Sequence, residues 1–336
     1  MTRALKGILR KTGALDVISR ITTSGRVEIF LYHGFCAGSE RDSRFPKLMP
    51  VEQFEEQIRT LARYGRPLRL EELPHNGNQG IAITFDDGYA NNYQLAIPVL
   101  QKYQFPATVF LTTGFVDRSV PLWGDWLEFL LVATPRRNSV FEWRGEKITL
   151  ALTSPHATNG VLAKLKQRLH GSTISDIHEF LRNLEAHLDV GYDWRGIPEV
   201  LRPLQWDEIR AMRRSGLVSF GAHTVSHPVL STCTDEVQKF EIAESKRRIE
   251  EELGEKCTIF AYPYGKCGDY TSATKQIVRK AGYELAVSAE SGFNTRSSWD
   301  EYELKRWGAD MSVEDLSFIV SGGPVVSRHF QRHVRN

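Results

Sequence analysis

Short apolar runs alternate with segments of helical periodicity along most of this chain, and that alternation restricts its fold more than any other feature. "VEIFLYH" (27–33), "GIAITF" (80–85) and "ATVFLTT" (107–113) read as buried strands. Between them, "VEQFEEQIRTLARYG" (51–65) and "ANNYQLAIPVLQKYQ" (90–104) repeat apolar residues at helical spacing, with Pro98 a kink or break in the second. The rhythm resumes after Trp206, with a helix to Ser215, strands at 217–223, 257–263 and 284–288, and helices at 235–253 and 272–281. A strand that returns to its sheet by way of a helix lies parallel to its predecessor, and the crossover is right-handed. Repeated units of this kind predict a barrel-like α/β fold.

Residues 117–203 break the rhythm. They hold "LWGDWLEFLL", a predicted β-ribbon "SVFEWRGEKITL" and an amphipathic helix over about 161–190. The segment reads as an α+β insertion, and insertions at strand ends often cap a site. The expected organisation is an amphipathic helix at 1–24, a barrel at 25–323 carrying the insertion, and a basic tail at 324–336. Leu5, Ile8, Leu9, Leu15, Ile18 and Ile21 fall at helical spacing beside Arg3, Lys6, Arg10 and Lys11. That pattern suits a helix packed on its own domain, and equally a peripheral contact of residues 1–21 with an anionic membrane surface.

A net charge of +2 over 336 residues, without basic runs interleaved with aromatics, gives no footprint for nucleic acid. Cys36, Cys233, Cys257 and Cys267 form no CxxC pair, so reduced thiols are expected rather than a thiolate metal site or a disulfide framework. The first residues lack the apolar core of a signal peptide, and no segment has the length of a membrane span. These features lead to the expectation of a cytoplasmic protein, with the inner membrane face as a docking alternative. Oligomeric state is not readable.

The chemistry concentrates at strand ends. In "AITFDDGYANN", Asp86 and Asp87 directly follow a strand, where parallel α/β folds present residues to ligands. One aspartate there is an ordinary helix cap, whereas two adjacent ones are costly unless a cation offsets them. "GAHTVSHP" (221–228) places His223 and His227 four apart at another strand end. Together with Asp87 they make a two-histidine, one-carboxylate set with positions left open, the arrangement of a catalytic metal. "FAYPYGK" (260–266) ends a third strand in a rigid aromatic turn, whose backbone N–H groups could face an oxyanion.

"TFDDG", "HTVSHP" and "FAYPYG", in this order and context, resemble the polysaccharide deacetylases, the carbohydrate esterase family 4 enzymes with the NodB-homology domain. The resemblance spans about 27–288 and is interrupted by the insertion. It implies a distorted (β/α)7 barrel and metal-dependent removal of an N-acetyl group from a sugar. By position, Asp86 corresponds to the general base, Asp87, His223 and His227 to the ligands of one divalent metal, and Tyr264 to the backbone donor for the oxyanion. Zinc heads the candidate metals, ahead of cobalt, nickel and iron. Two departures stand out. Many relatives carry Arg where this chain has Ala261, and many carry a late Leu-x-His that is missing here. A subgroup with the "YPYG" form uses the His of an N-terminal Tyr-His as its acid, which is His33 here. Arg306 of "ELKRWG" is the candidate for the missing Arg, against the alternative of an ordinary solvated arginine. Trp123, Trp206 and Tyr262 are expected to contact substrate. The expected reaction is N-deacetylation of an amino sugar in a bacterial surface glycan or its lipid-linked or nucleotide-linked precursor. Hydrolysis of a non-sugar amide, or glycan binding by an inactive barrel, are the competing readings.

Overall fold

The computed structural model describes residues 25–38, 44–73, 79–295 and 299–322. The helix expected at 1–24 and the tail at 324–336 lie outside the described residues. Twelve strands occur among them: β1 (Arg26–Tyr32), β2 (Phe35–Cys36), β3 (Met49–Pro50), β4 (Gly80–Phe85), β5 (Ala107–Leu111), β6 (Asn138–Trp143), β7 (Glu146–Ala151), β8 (Val218–Ala222), β9 (Ile259–Ala261), β10 (Leu285–Val287), β11 (Asn294–Thr295) and β12 (Trp307–Gly308). The helices are α1 (Val51–Tyr64), α2 (Ile97–Tyr103), α3 (Thr113–Val116), α4 (Trp123–Ala133), α5 (Pro155–Leu169), α6 (Ile174–Leu188), α7 (Trp206–Arg214), α8 (Asp235–Leu253), α9 (Ser272–Lys280) and α10 (Val313–Val320).

The main sheet runs β10-β9-β8-β5-β4-β1 with every pair parallel, and β12 continues it in parallel on β1. β11 adds a short antiparallel pair at the start of β1. The last segment spans the gap between the two edges: Leu304 bridges Val287 of β10, and Trp307 pairs with Phe30 of β1. The result is the barrel-like α/β fold expected from the alternation, in the distorted (β/α)7 form that the resemblance implies.

Strands buried on both faces read as nearly continuous apolar runs, which explains their legibility. Along β1, Val27 and Ile29 join the cluster containing Ala82, Ile259, Leu285 and Val287, whereas Phe30 and Tyr32 pack on Phe54, Ile58 and Leu61 of α1. Close strand packing needs Gly221, because a Cβ there would lie 2.5 Å from the Phe110 ring. Thr234 caps α8 by accepting from the Val237 N–H, and Gly254 ends it in a left-handed conformation at φ +68°.

The helix expected at 90–104 is present from Ala90, with a π-turn at Asn92–Ala96 ahead of the regular α-helix from Ile97. Pro98, lacking an N–H, cannot supply the i→i−4 bond that would have kept the first turn regular. One helical expectation is corrected: the single helix expected over 161–190 is two, α5 and α6. "HGST" (170–173) interrupts it, and Thr173 starts α6 by accepting from the Asp176 N–H at 3.2 Å. With α4 and the β6–β7 ribbon, these helices bury a second core that includes Leu127, Leu130, Phe180, Leu181 and Leu184.

Candidate active site

The strand ends of β1, β4, β8 and β9 deliver His33, Asp86 and Asp87, His223, and the 262–264 turn to one mouth of the barrel. The Asp86 N–H bonds the Tyr32 carbonyl at 2.9 Å and the His223 N–H bonds the Leu111 carbonyl at 2.9 Å, so each residue is registered by the strand beside it.

Asp86 and Asp87 have separate partners. Arg306 holds Asp86 in a bidentate pair, Nη1 to Oδ1 at 2.7 Å and Nη2 to Oδ2 at 2.8 Å. The guanidinium is completely buried, and its Nε also donates to the Ser288 carbonyl at 2.7 Å. Burial alone would raise the Asp86 pKa, but the charge of Arg306 outweighs it and holds the carboxyl down at about 2. Arg306 is therefore not the solvated arginine of the alternative reading.

Asp87 adopts φ +75°, which turns the chain sharply after Asp86 and aims the second carboxylate elsewhere. Its Oδ1 lies 3.4 Å from His227 Nε2 and 3.7 Å from His223 Nε2. His223 Nδ1 is 2.8 Å from the Ala261 carbonyl. A carbonyl only accepts, so Nδ1 carries the proton and Nε2 turns its lone pair towards Asp87. Burial pushes the His227 pKa down to about 4 against the opposing pull of Asp87, which leaves a neutral imidazole at physiological pH.

These three groups fit a divalent cation. Asp87 Oδ1 is buried without a hydrogen-bond partner, and two imidazole lone pairs face the same point. Such a buried orphan acceptor is costly unless something positive meets it. Asp87, His227 (φ +58°) and Tyr264 (φ +60°) all hold left-handed backbone without being glycine, the kind of strain that surrounding structure must enforce. Part of that enforcement is Glu241 of α8. Its carboxylate accepts from the Val225 and Ser226 N–H groups at 2.7 and 2.9 Å and from the Ser226 hydroxyl, which pins the "HTVSH" loop.

A cavity of about 560 Å³ opens over this floor. His33, Asp86, Asp87, His223, His227 and Tyr264 line it from the barrel, and Trp123, Asp125, Lys166 and His170 from the insertion. Asn92 of the π-turn holds the His33 carbonyl at 2.7 Å, leaving the imidazole exposed to the cavity. The Tyr264 ring stands 4.8 Å from the rings of both His227 and His170, and 6.4 Å from Trp123.

Two expected substrate contacts are corrected. Trp206 is not on the cavity wall. It begins α7, donates from Nε1 to Asp117 at 2.7 Å and carries Arg248 over its ring. Tyr262 turns into the helix-side core, where its hydroxyl donates to the Tyr302 carbonyl at 2.9 Å and its ring stacks on Tyr270 at 4.0 Å. Trp123 does line the cavity. The sequence reading passed over Glu241, Lys47, Asp125 and Lys166. One signal was present: Asp125 and Glu128, three apart within the apolar run "LWGDWLEFLLV", should have read as buried carboxylates facing a common partner.

A distorted parallel barrel that presents a clamped carboxylate beside a His–His–Asp donor set defines a barrel hydrolase. The polysaccharide deacetylase family model matches residues 75–286, more than half of the chain, and the chain belongs to that family. It is similar to YxkH of Bacillus subtilis (strain 168), at 23% identity over 279 residues, covering 81% of this chain and 67% of that protein. It shares its fold with the Streptococcus pyogenes deacetylase PplD (TM-score 0.56, 20% identity, 87% of this chain and 96% of that one). It also shares it with IcaB from Ammonifex degensii (TM-score 0.55, 19% identity, 89% and 98%). Family membership assigns hydrolytic deacetylation of carbohydrate.

Proposed function

We propose that this protein is a metal-dependent N-deacetylase acting on an amino sugar of a bacterial surface glycan or of its lipid-linked or nucleotide-linked precursor. The observation that carries the reading is the Arg306–Asp86 clamp beside Asp87, His223 and His227 at the floor of the cavity. Asp87 Oδ1 and the two Nε2 atoms would hold one divalent cation, with zinc ahead of cobalt, nickel and iron. When bound, the cation supplies a lowered water pKa and a polarised amide carbonyl.

The protein's own groups perform the proton transfers. Asp86, kept ionised by Arg306, takes a proton from the attacking water through a lone pair not used in the clamp. The Tyr264 backbone N–H donates to the oxyanion that forms. His33, as imidazolium, protonates the nitrogen as the C–N bond breaks, releasing free amine and acetate. Arg306 fills the role left open by Ala261, and the insertion at 117–203 supplies the far wall of the substrate cavity. No helix among the described residues is long and apolar enough to cross a membrane. A lipid-linked precursor would therefore be met at a membrane surface.

The test is acetate release from acetylated glycans, lipid-linked and nucleotide-linked sugars and a chromogenic acetyl ester, before and after chelation and zinc reloading. Turnover should vanish on chelation and return with zinc. His223→Ala and His227→Ala should each lower metal stoichiometry, and unchanged stoichiometry in both would overturn the ligand set.

A further inference from the structure

One wall of the cavity takes no part in the chemistry described so far. It is built from charged groups. Asp125 and Glu128 lie on one face of α4 and are both buried. Lys47, from the loop between β2 and β3, forms an ion pair with Asp125 and lies 3.8 Å from Glu128. The Tyr89 hydroxyl donates to Asp125 at 2.7 Å. From α5, Lys166 approaches Glu128 only to 3.5 Å, and Glu128 Oε1 is buried with no partner among the described residues.

Two buried carboxylates paired with two half-buried ammonium groups give little net stability. As a clamp between barrel and insertion the set is also loosely made. Lys166 makes one long contact, so donors remain unspent beside the cavity. The same cavity is also lined by aromatic rings, Trp123 beside Asp125 on α4 and Tyr264 from the barrel, 6.4 Å apart. A pyranose ring has complementary character: a face of C–H groups and a rim of hydroxyls that each donate and accept. Lys47, Lys166 and Asp125 bring charged donors and an acceptor to the cavity, which suits hydroxyls that both donate and accept.

We propose that Asp125, Lys47 and Lys166 form a ring-recognition subsite for the hydroxyl groups of the sugar that bears the N-acyl group, with Trp123 and Tyr264 against the apolar ring face. The insertion then carries the selectivity for a sugar over other amides, while the barrel motifs carry the chemistry. This rests on the deacetylase reading and names the residues that choose its substrate.

The experiment compares binding of two probes to the full-length, zinc-loaded chain: N-acetylglucosamine and N-cyclohexylacetamide, an acetamido ring without hydroxyls. Hydrogen bonds to charged groups predict a preference for the sugar of roughly 10-fold or more. Asp125→Asn and Lys166→Met should each remove most of that preference, with melting curves reporting the fold. If Asp125→Asn fails to fold, Lys166→Met carries the test, since this side chain is 35% exposed and has a single long ionic contact. No preference in the unmodified chain, or an undiminished one in folded Lys166→Met, would overturn the subsite. Acetate release from the same preparations reports separately on the deacetylase reading: its absence with the preference intact would sink that reading and leave the subsite standing.

Discussion

Arg306→Met removes a guanidinium and little volume, and leaves Asp86 buried without its counter-charge. Two estimates of the cost agree in scale. A carboxyl held near 2 instead of its ordinary 3.8 carries about 2 kcal/mol of stabilisation at neutral pH. Removing one partner from a buried pair costs roughly 3–5 kcal/mol, because the remaining charge is also left without compensation. The pH dependence separates this from simple loss of packing. In the native protein the Asp86 pKa is depressed, so its contribution is full above about 3.8 and disappears as the pH falls through about 2. Without Arg306, the largest charge opposing burial is gone, and burial moves the carboxyl upward. The ionised form then destabilises the variant, and acid relieves it by protonation. The gap between the two proteins should therefore be widest near pH 7 and narrow towards pH 4. Urea denaturation of the metal-free proteins at several pH values measures it, and Asp86→Asn in the Arg306→Met background should recover much of the loss. A gap that is the same at pH 7 and pH 4, or that the second substitution leaves in place, would refute the electrostatic account.

Asp86→Asn alone should retain metal while turnover falls by about 10²–10⁴-fold, and near-normal turnover would remove Asp86 from the mechanism. His33→Ala should retain metal and lose far more turnover on a sugar amide than on an activated acetyl ester, whose leaving group needs no proton. Equal losses on both substrates would make His33 a binding residue. Glu241→Gln should loosen the loop between His223 and His227 and weaken zinc binding by about 10–100-fold, as outer-shell changes do. Unchanged zinc affinity, measured by competition with a chelating dye, would show that the loop holds its shape without that carboxylate.

The parallel barrel was legible because its strands are buried on both faces and its helices amphipathic on one, so each element announces itself within a few residues. Asp86, Asp87, His223 and His227 were legible for a related reason: each lies one to five residues past a strand end. Arg306 was much harder to place. Nothing in "ELKRWG" distinguishes a buried arginine from a surface one, and its partner is 220 residues away. Trp206 and Tyr262 misled because an aromatic side chain looks the same in sequence whether it faces a ligand or a core. Tyr262 and Tyr264 sit in one turn, yet the first packs in the helix-side core and the second lines the cavity. The Lys47–Asp125–Lys166 wall joins three segments that only the tertiary fold brings together, and only its Asp125–Glu128 half left a trace in the sequence.

The order in which the chain is synthesised gives the closing segment a temporal meaning. All three candidate metal ligands have been made once His227 leaves the ribosome. The clamp on Asp86 must wait for Arg306, on the segment that joins β10 to β1. On the proposed mechanism, completing the candidate ligand set and clamping Asp86 would therefore be separable events in the life of each molecule. A nascent chain that ends before this segment carries the candidate ligands but lacks the counter-charge that accompanies Asp86 into the core. On that mechanism activity would be reserved for molecules whose barrel has been sewn shut, and this long-range closure is the kind of contact that forms slowly.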